Sequence, residues 1–218
     1  MAERPVFIPI LEGTSHVRVE SHSFQWHPGF AVSQKKKCIT SLHKAAAAKG
    51  LSPLLEVSTK SDEALGRSLS AFNLELEVAP QKSVLLECVF QGSKVFEEGG
   101  PFRDLYDVHP KAAKRDPRLR SSGRLTSFSF GDHEFPLEPK TVFYDWLYIN
   151  AVAALNPSLA ELQTYKGFTD IEFNPNKSIN CQARALATYV ALAHKGLLTK
   201  ALENPTRFIE IASKATFT

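Results

Sequence analysis

The clearest alternation in the chain sets Leu74, Leu76 and Val78 against Glu75 and Glu77. That two-residue period predicts a half-buried strand ahead of Pro80. Apolar runs at residues 6–10 and 54–57, and looser alternation over 17–24, predict three more strands. Residues 128–135 read as a hairpin turning at Gly131-Asp132, because a two-residue turn with Gly first matches the twist of paired strands. Helical spacing governs most of the rest. Ile39, Leu42, His43 and Ala46 predict a helix over 33–49 with Gly50 as its stop, and a turn of helix leads on to residue 68. Val142, Phe143, Trp146, Ile149 and Ala153 predict a helix over 141–155. Asn156-Pro157 then ends it and opens another, since Asn caps and Pro suits the first helical position. Residues 102–123 read as short helix and loop and 169–177 as loop; a long helix over 178–194 and a short one over 207–214 follow.

The central segment is 83–98, which the periodicity predicts as one helix closed by Gly99-Gly100-Pro101. Glu87, Gln91 and Lys94 then fall at i, i+4 and i+7, along one narrow stripe. Cys88, Val89, Gly92, Val95 and Phe96 cover the opposite flank, toward the core. The plain reading of such a stripe is a solvated helix face. The alternative is a carboxylate, an amide and an amine projecting together into a site.

Composition narrows the classes. With 218 residues, 43% of them hydrophobic, the chain can bury a real core. The pattern is α+β and predominantly helical, a single compact domain over residues 1–218 with a few short strands. A net charge of +3 is too small to announce a nucleic-acid binder, so local clusters carry that question. Cys38, Cys88 and Cys181 form no CxxC and the histidines no HxxxH, which points to a reducing cytoplasm, no metal site and no cofactor. No apolar run approaches membrane-span length, and the N-terminus lacks the apolar core of a signal peptide.

Glu87, Phe90-Gln91, Lys94 and Phe96 resemble the central signature of the NADAR family, usually Glu-His-aromatic-aromatic-Gln-Ala-Gln-Lys followed by Ala or Phe. Upstream, Leu69-Ser70-Ala71-Phe72-Asn73 resembles that family's Leu-Ser-Asn-Phe-aromatic element. Asp170-Ile171-Glu172-Phe173 and Lys177-Ser178-Ile179-Asn180 are similar to its Asp-x-x-Trp-Gly loop and Gly-Lys-Asn. From its opening Arg4-Pro5-Val6-Phe7 onward the chain resembles the branch found beside DarT-type toxins, which ADP-ribosylate DNA bases. The resemblance implies a NADAR-like domain and an antitoxin hydrolase that takes ADP-ribose off guanine in DNA. Ala71 for Asn, Cys88 for His and Phe173-Asn174 for Trp-Gly depart from the pattern, each removing a polar or stacking contact with sugar or base.

The residues fit that chemistry in named places. Breaking an N-glycosidic bond to ribose develops positive charge at the anomeric carbon, which a facing carboxylate stabilises; Glu87 is the choice. Lys94 either attacks the opened sugar as an uncharged amine or stays charged and holds a phosphate or Glu87. The resemblance favours the covalent route, with Lys60 and Lys37 as reserve amines. Asp170 either orients ribose hydroxyls and serves as a second acid/base group, or makes a local turn bond. Ser70, Phe72, Asn73, Phe90 and Gln91 are expected to line the pocket, Lys60 to contact substrate, Phe135 and Phe173 to flank the base, and Asn180 to close the floor. Lys35, Lys36 and Lys37 beside Trp26, His27 and Phe30, and Arg118 in a second basic cluster, suit a single-stranded DNA backbone or the diphosphate of ADP-ribose, the plain reading of most of these charges being solvated surface. Expected partners are ADP-ribosylated DNA, ADP-ribose as product and a DarT-type toxin. The rivals are a NADAR-like N-glycosidase for small nucleotides or riboflavin-pathway intermediates, and a non-catalytic module that binds ADP-ribose or the toxin.

Overall fold

A computed structural model describes residues 1–212; the last two positions of the expected terminal helix, 213–214, lie outside the described residues. From the N-terminus, β1 (Ala2–Pro9) and β2 (Val17–Phe24) pair antiparallel, Ala2 opposite Phe24 and Pro9 opposite Val17. The helix α1 (Val32–Ala47) buries Ile39, Leu42 and Ala46 of the face that its sequence predicts, with Cys38 joining them and His43 half-buried. After β3 (Leu54–Glu56) and the short α2 (Ala64–Ser68), β4 (Glu75–Ala79) and β5 (Lys82–Leu85) make a hairpin turned at Gln81, where φ is 64°. Then come α3 (Leu86–Gly92), β6 (Lys94–Phe96), a 3-10 turn over Arg103–Asp107, α4 (Pro110–Ala113) and α5 (Arg118–Ser121). The hairpin β7 (Leu125–Phe130) and β8 (His133–Phe135) turns at Gly131, φ 57°, as expected. The chain finishes with α6 (Val142–Leu155), α7 (Leu159–Leu162), β9 (Gly167–Thr169), α8 (Gln182–His194), α9 (Leu198–Leu202) and α10 (Pro205–Ala212).

The balance is about 40% helix and 21% strand, mixed rather than predominantly helical. The largest correction is in the centre, where the expected helix over 83–98 is a strand, a seven-residue helix and a second strand. Val84 and Leu85 belong to the hairpin, with Leu76 opposite Val84. At the other end Lys94, Val95 and Phe96 leave the helix to pair with β7, Lys94 opposite Phe128. Gly92 permits the exit, since a Cβ there would stand 2.6 Å from the Tyr106 ring and 2.9 Å from the Phe102 carbonyl oxygen. Cross-strand partners far along the chain thus outweigh local periodicity. Two smaller differences have local causes. Asn156 does not cap the next helix; it ends α6 in the left-handed conformation, φ 49°, and Ser158 caps α7 by accepting from the Glu161 N–H. The long helix begins at Gln182 rather than 178, and Thr169, the first residue of the stretch expected to be loop, closes β9.

The strands form a sheet ordered β2-β1-β9-β3, the β4-β5 hairpin and a sheet ordered β6-β7-β8. In the first, β9 runs antiparallel to β1 and parallel to β3, which places Leu55 beside Phe168 and Glu56 beside Thr169. The main core gathers α3, α6 and α8 with the faces of these sheets. Both α6 and α8 are buried on nearly every side, so their sequences are apolar all round. The Tyr148 hydroxyl in this core donates to the Leu69 carbonyl at 2.7 Å, holding the 69–73 turn against α6. Phe128 and Phe143 stack at 4.6 Å, and Phe135 packs on Phe143 and Trp146 at 4.8 and 5.1 Å. Each such contact adds about 1 kcal/mol beyond burial.

Candidate active site

The helix α3 is buried along its whole length, including its two polar members, Glu87 at 6% and Gln91 at 5% exposure. A carboxylate and an amide held this deep need partners. They supply each other: Gln91 Nε2 donates to Glu87 Oε1 at 2.9 Å, and Lys94 Nζ donates to Gln91 Oε1 at 2.6 Å. The stripe read from helical spacing therefore exists as a hydrogen-bonded chain, although Lys94 reaches it from β6. Its amine rests 5.0 Å from the centre of the Phe90 ring. Burial holds the Lys94 amine below the ordinary lysine range, Glu87 opposing that shift and Lys114 adding to it.

Glu87 and Gln91 open onto a cavity of about 320 Å³. Its other walls include Ala71, Phe72, Phe90, Lys114, Tyr144, Asp170, Glu172, Phe173, Asn180 and Gln182. Lys94 stands behind Gln91 rather than among these walls. On the wall that includes Asp170, this carboxyl accepts from Gln182 Nε2 at 3.0 Å and from the Glu172 N–H at 3.0 Å. Gln182 is itself fixed by the Ala71 N–H, which donates to its Oε1 at 2.8 Å and ties the 69–73 turn to the start of α8.

Next to Asp170, away from the cavity, lies a second carboxylate, Glu56, with 1% exposure. Three donors hold it: Ser58 Oγ at 2.7 Å, the Ile171 N–H at 2.9 Å and Thr169 Oγ1 at 2.7 Å. Thr169 Oγ1 in turn meets His43 Nε2 at 2.8 Å, and burial lowers the His43 pKa to about 4, so this imidazole is neutral near pH 7. Burial first, and the charge of Glu56 second, push the Asp170 pKa up to about 8. Glu56 is also pushed upward by burial, against the three donors. Each carboxyl's charge disfavours ionisation of the other, and Asp170, with two hydrogen-bond donors to Glu56's three, is raised to about 8. The cavity thus sets Glu87 together with an Asp170 carboxyl whose burial favours its protonated form near pH 7.

The other expected residues divide. Phe72, Phe90, Gln91, Phe173 and Asn180 line the cavity, with Phe173 edge-on to Phe7 at 6.1 Å. Ser70 is completely buried, and its hydroxyl accepts from the Phe72 N–H at 3.4 Å. Asn73 donates to the Arg67 carbonyl at 2.8 Å, and Lys60 Nζ donates to Thr59; neither is a wall of the cavity. Phe135 is not a wall of the cavity: it is fully enclosed against Phe143 and Trp146, because the face of β8 that carries it is turned to the core, where a ring's burial is worth most. Lys35 lies over Trp26 at 5.1 Å and pairs with Glu172 at 3.4 Å, beside the cavity, while Lys36 pairs with Asp62 and Lys37 is exposed. Arg118 is engaged by Asp104 and Asp116, so its guanidinium is not a free phosphate contact. From the second basic cluster it is Lys114 that reaches the cavity, 3.8 Å from Glu87. Glu56, Gln182 and Tyr144 escaped the sequence reading. The available signal was a lone carboxylate in the apolar run Leu54-Leu55-Glu56-Val57, and a lone amide opening an apolar helix.

An α+β domain whose cavity sets a carboxylate and its amide partner, backed by an amine of depressed pKa, against a carboxyl raised to about 8 has the groups that acid/base work on a polar ligand requires. Residues 2–218 match the family of DarT1-associated NADAR antitoxins, and the chain belongs to that family. No curated protein matches the chain. Membership gives it a DarT-associated antitoxin role. Among the described residues no helix is long and apolar enough to cross a membrane.

Proposed function

We propose that this antitoxin is an N-glycosyl hydrolase that removes ADP-ribose from guanine bases of DNA, undoing the modification made by a DarT-type toxin. The observation that carries the reading is the placement of Glu87 and Asp170 as walls of one cavity, with Lys94 one hydrogen bond behind Glu87's partner Gln91. Asp170 donates its proton to the ring oxygen as the ribose opens, leaving an imine between the anomeric carbon and the guanine nitrogen. Lys94, uncharged, adds to that carbon; the guanine nitrogen takes a proton and departs, and an imine to Lys94 remains. Water adds to it, the amine leaves and ADP-ribose is released, so the sum is one water consumed per bond broken. Glu87 stabilises the positive charge that accompanies each carbon–nitrogen exchange. For the amine to reach the sugar, Gln91 must release it, which a bound ribose hydroxyl can do by taking over the amide.

The test is release of ADP-ribose from an ADP-ribosylated single-stranded oligonucleotide, run beside free nucleotides. Release from the oligonucleotide, lost in Glu87→Gln, supports the reading. Turnover of free nucleotides alone would favour a small-nucleotide glycosidase, and protection that survives every catalytic substitution would favour sequestration of the toxin.

A further inference from the structure

A second cavity, about 270 Å³, adjoins the first. Phe90, Tyr144 and Asn180 are walls of both, so the two open on either side of one partition. Their linings differ in kind. The first carries carboxyls, amides and an amine; the second is faced by Phe128, Phe143, Leu125, Leu137 and Ile179, with its charged side chains confined to Glu138 and Lys140. Phe90 and Phe128, both walls of this recess, stack on each other 5.6 Å apart and inclined 30°, so part of its lining is a rigid aromatic pair rather than aliphatic side chains.

Two polar groups on the partition lack partners. Tyr144 is 8% exposed and its hydroxyl makes no hydrogen bond among the described residues, an arrangement that a ligand atom or a water must complete. The Asn180 carbonyl accepts from Ser178 Oγ at 3.3 Å, but its side-chain amide has no partner among the described residues. A hydroxyl and an amide at the edge of an apolar, ring-faced recess match a flat heterocycle with hydrogen-bonding edges. An alkyl group would leave both unsatisfied.

We propose that the second cavity is a purine-binding recess of the same site, taking a base whose sugar lies in the first cavity, with Tyr144 and Asn180 meeting the base edge. It rests on the reading of the first cavity as a sugar site. An ADP-ribosylated guanine contains two purines, the adenine of the ADP-ribose and the guanine that leaves, and the recess suits either.

Leu137 and Ile179 line the recess at 38% and 59% exposure, so Leu137→Glu and Ile179→Glu put a carboxylate on its wall without burying one in the core. Leu137→Trp, which fills the recess without charge, is the companion variant. Each is titrated calorimetrically with ADP-ribose, with ribose 5-phosphate and with guanosine, and its KM for the modified oligonucleotide is measured; melting temperatures report the fold. If adenine is the occupant, ADP-ribose binding falls roughly tenfold or more in the variants while ribose 5-phosphate binding holds. If guanine is, ADP-ribose binding holds, guanosine binding falls and KM rises by a similar factor. Unchanged binding and KM throughout, an equal loss with ribose 5-phosphate, or a wild-type protein that binds no purine probe would overturn the recess. A wild-type protein that binds purines through these residues yet releases nothing from modified DNA would overturn the hydrolase instead.

Discussion

Glu56→Gln asks whether the buried carboxylate behind the cavity sets the working pH. Glu56 Oε1 accepts at 2.9 Å from the N–H of Ile171, the residue that follows Asp170, which on backbone dimensions sets the two carboxyls about 6 Å apart. At an effective dielectric near 20, unit charges at that distance repel by about 3 kcal/mol, on the order of two pK units. Removing one charge should carry Asp170 from about 8 toward 6. The substitution preserves shape. The oxygen of the new amide still accepts from Ser58 and Ile171, while its nitrogen donates to Thr169 Oγ1, which turns its own hydroxyl to His43 Nε2 and switches that imidazole's tautomer. In a pH profile of kcat/KM the alkaline limb, set by protonated Asp170, should move about two units toward acid, lowering the rate at about pH 7.5 by roughly tenfold or more. Stability gives an independent check. A carboxyl raised in the folded state contributes stability that is fully present below its unfolded pKa and lost as pH rises through its folded one, here from about 4 to about 8. Wild type should lose melting temperature across that window, and Glu56→Gln should lose less of it. An alkaline limb that stays put, or moves toward base, refutes the argument.

Glu87→Gln keeps the bond with Gln91 and removes the charge, and should cut ADP-ribose release by about a hundredfold or more with little change in melting temperature; appreciable turnover would take Glu87 out of the chemistry. Borohydride added during turnover should fix the sugar to Lys94, seen as added mass on the peptide that carries it, and Lys94→Arg should give none; a wild type without adduct makes the amine a positioning group. Gly92→Ala forces a methyl into Tyr106 at 2.6 Å and should cost about 1–3 kcal/mol in urea unfolding, whereas equal midpoints would mean that the ring yields freely. If Lys35, Lys36 and Lys37 carry the DNA strand, affinity for a modified oligonucleotide should fall steeply with added salt, and a flat response would remove them from the interface.

The central stripe was legible because a carboxylate, an amide and an amine at spacings of four and three face one way on a helix. The structure keeps that convergence for another reason, since Lys94 turns back from a strand whose partner, Phe128, lies far along the chain. The hairpin at Gly131 and the α1 and α6 helices were legible because short-range chemistry decides them. Asp170 entered through a family likeness. Glu56 could not, for its role depends on hydrogen bonds to Thr169 and Ile171, 113 and 115 residues away. Phe135 was misread because an aromatic side chain carries no mark that separates a stacking platform from packing.

The parallel pairing of β3 with β9 has a consequence for synthesis. It joins residues 54–56 to 167–169, and Gln182 completes what they begin. A ribosome halted ahead of that glutamine has made the glutamate and its threonine partner but cannot yet anchor the aspartate. The full set of bonds that positions Asp170 is therefore complete only once the chain has been made as far as Gln182, late in translation.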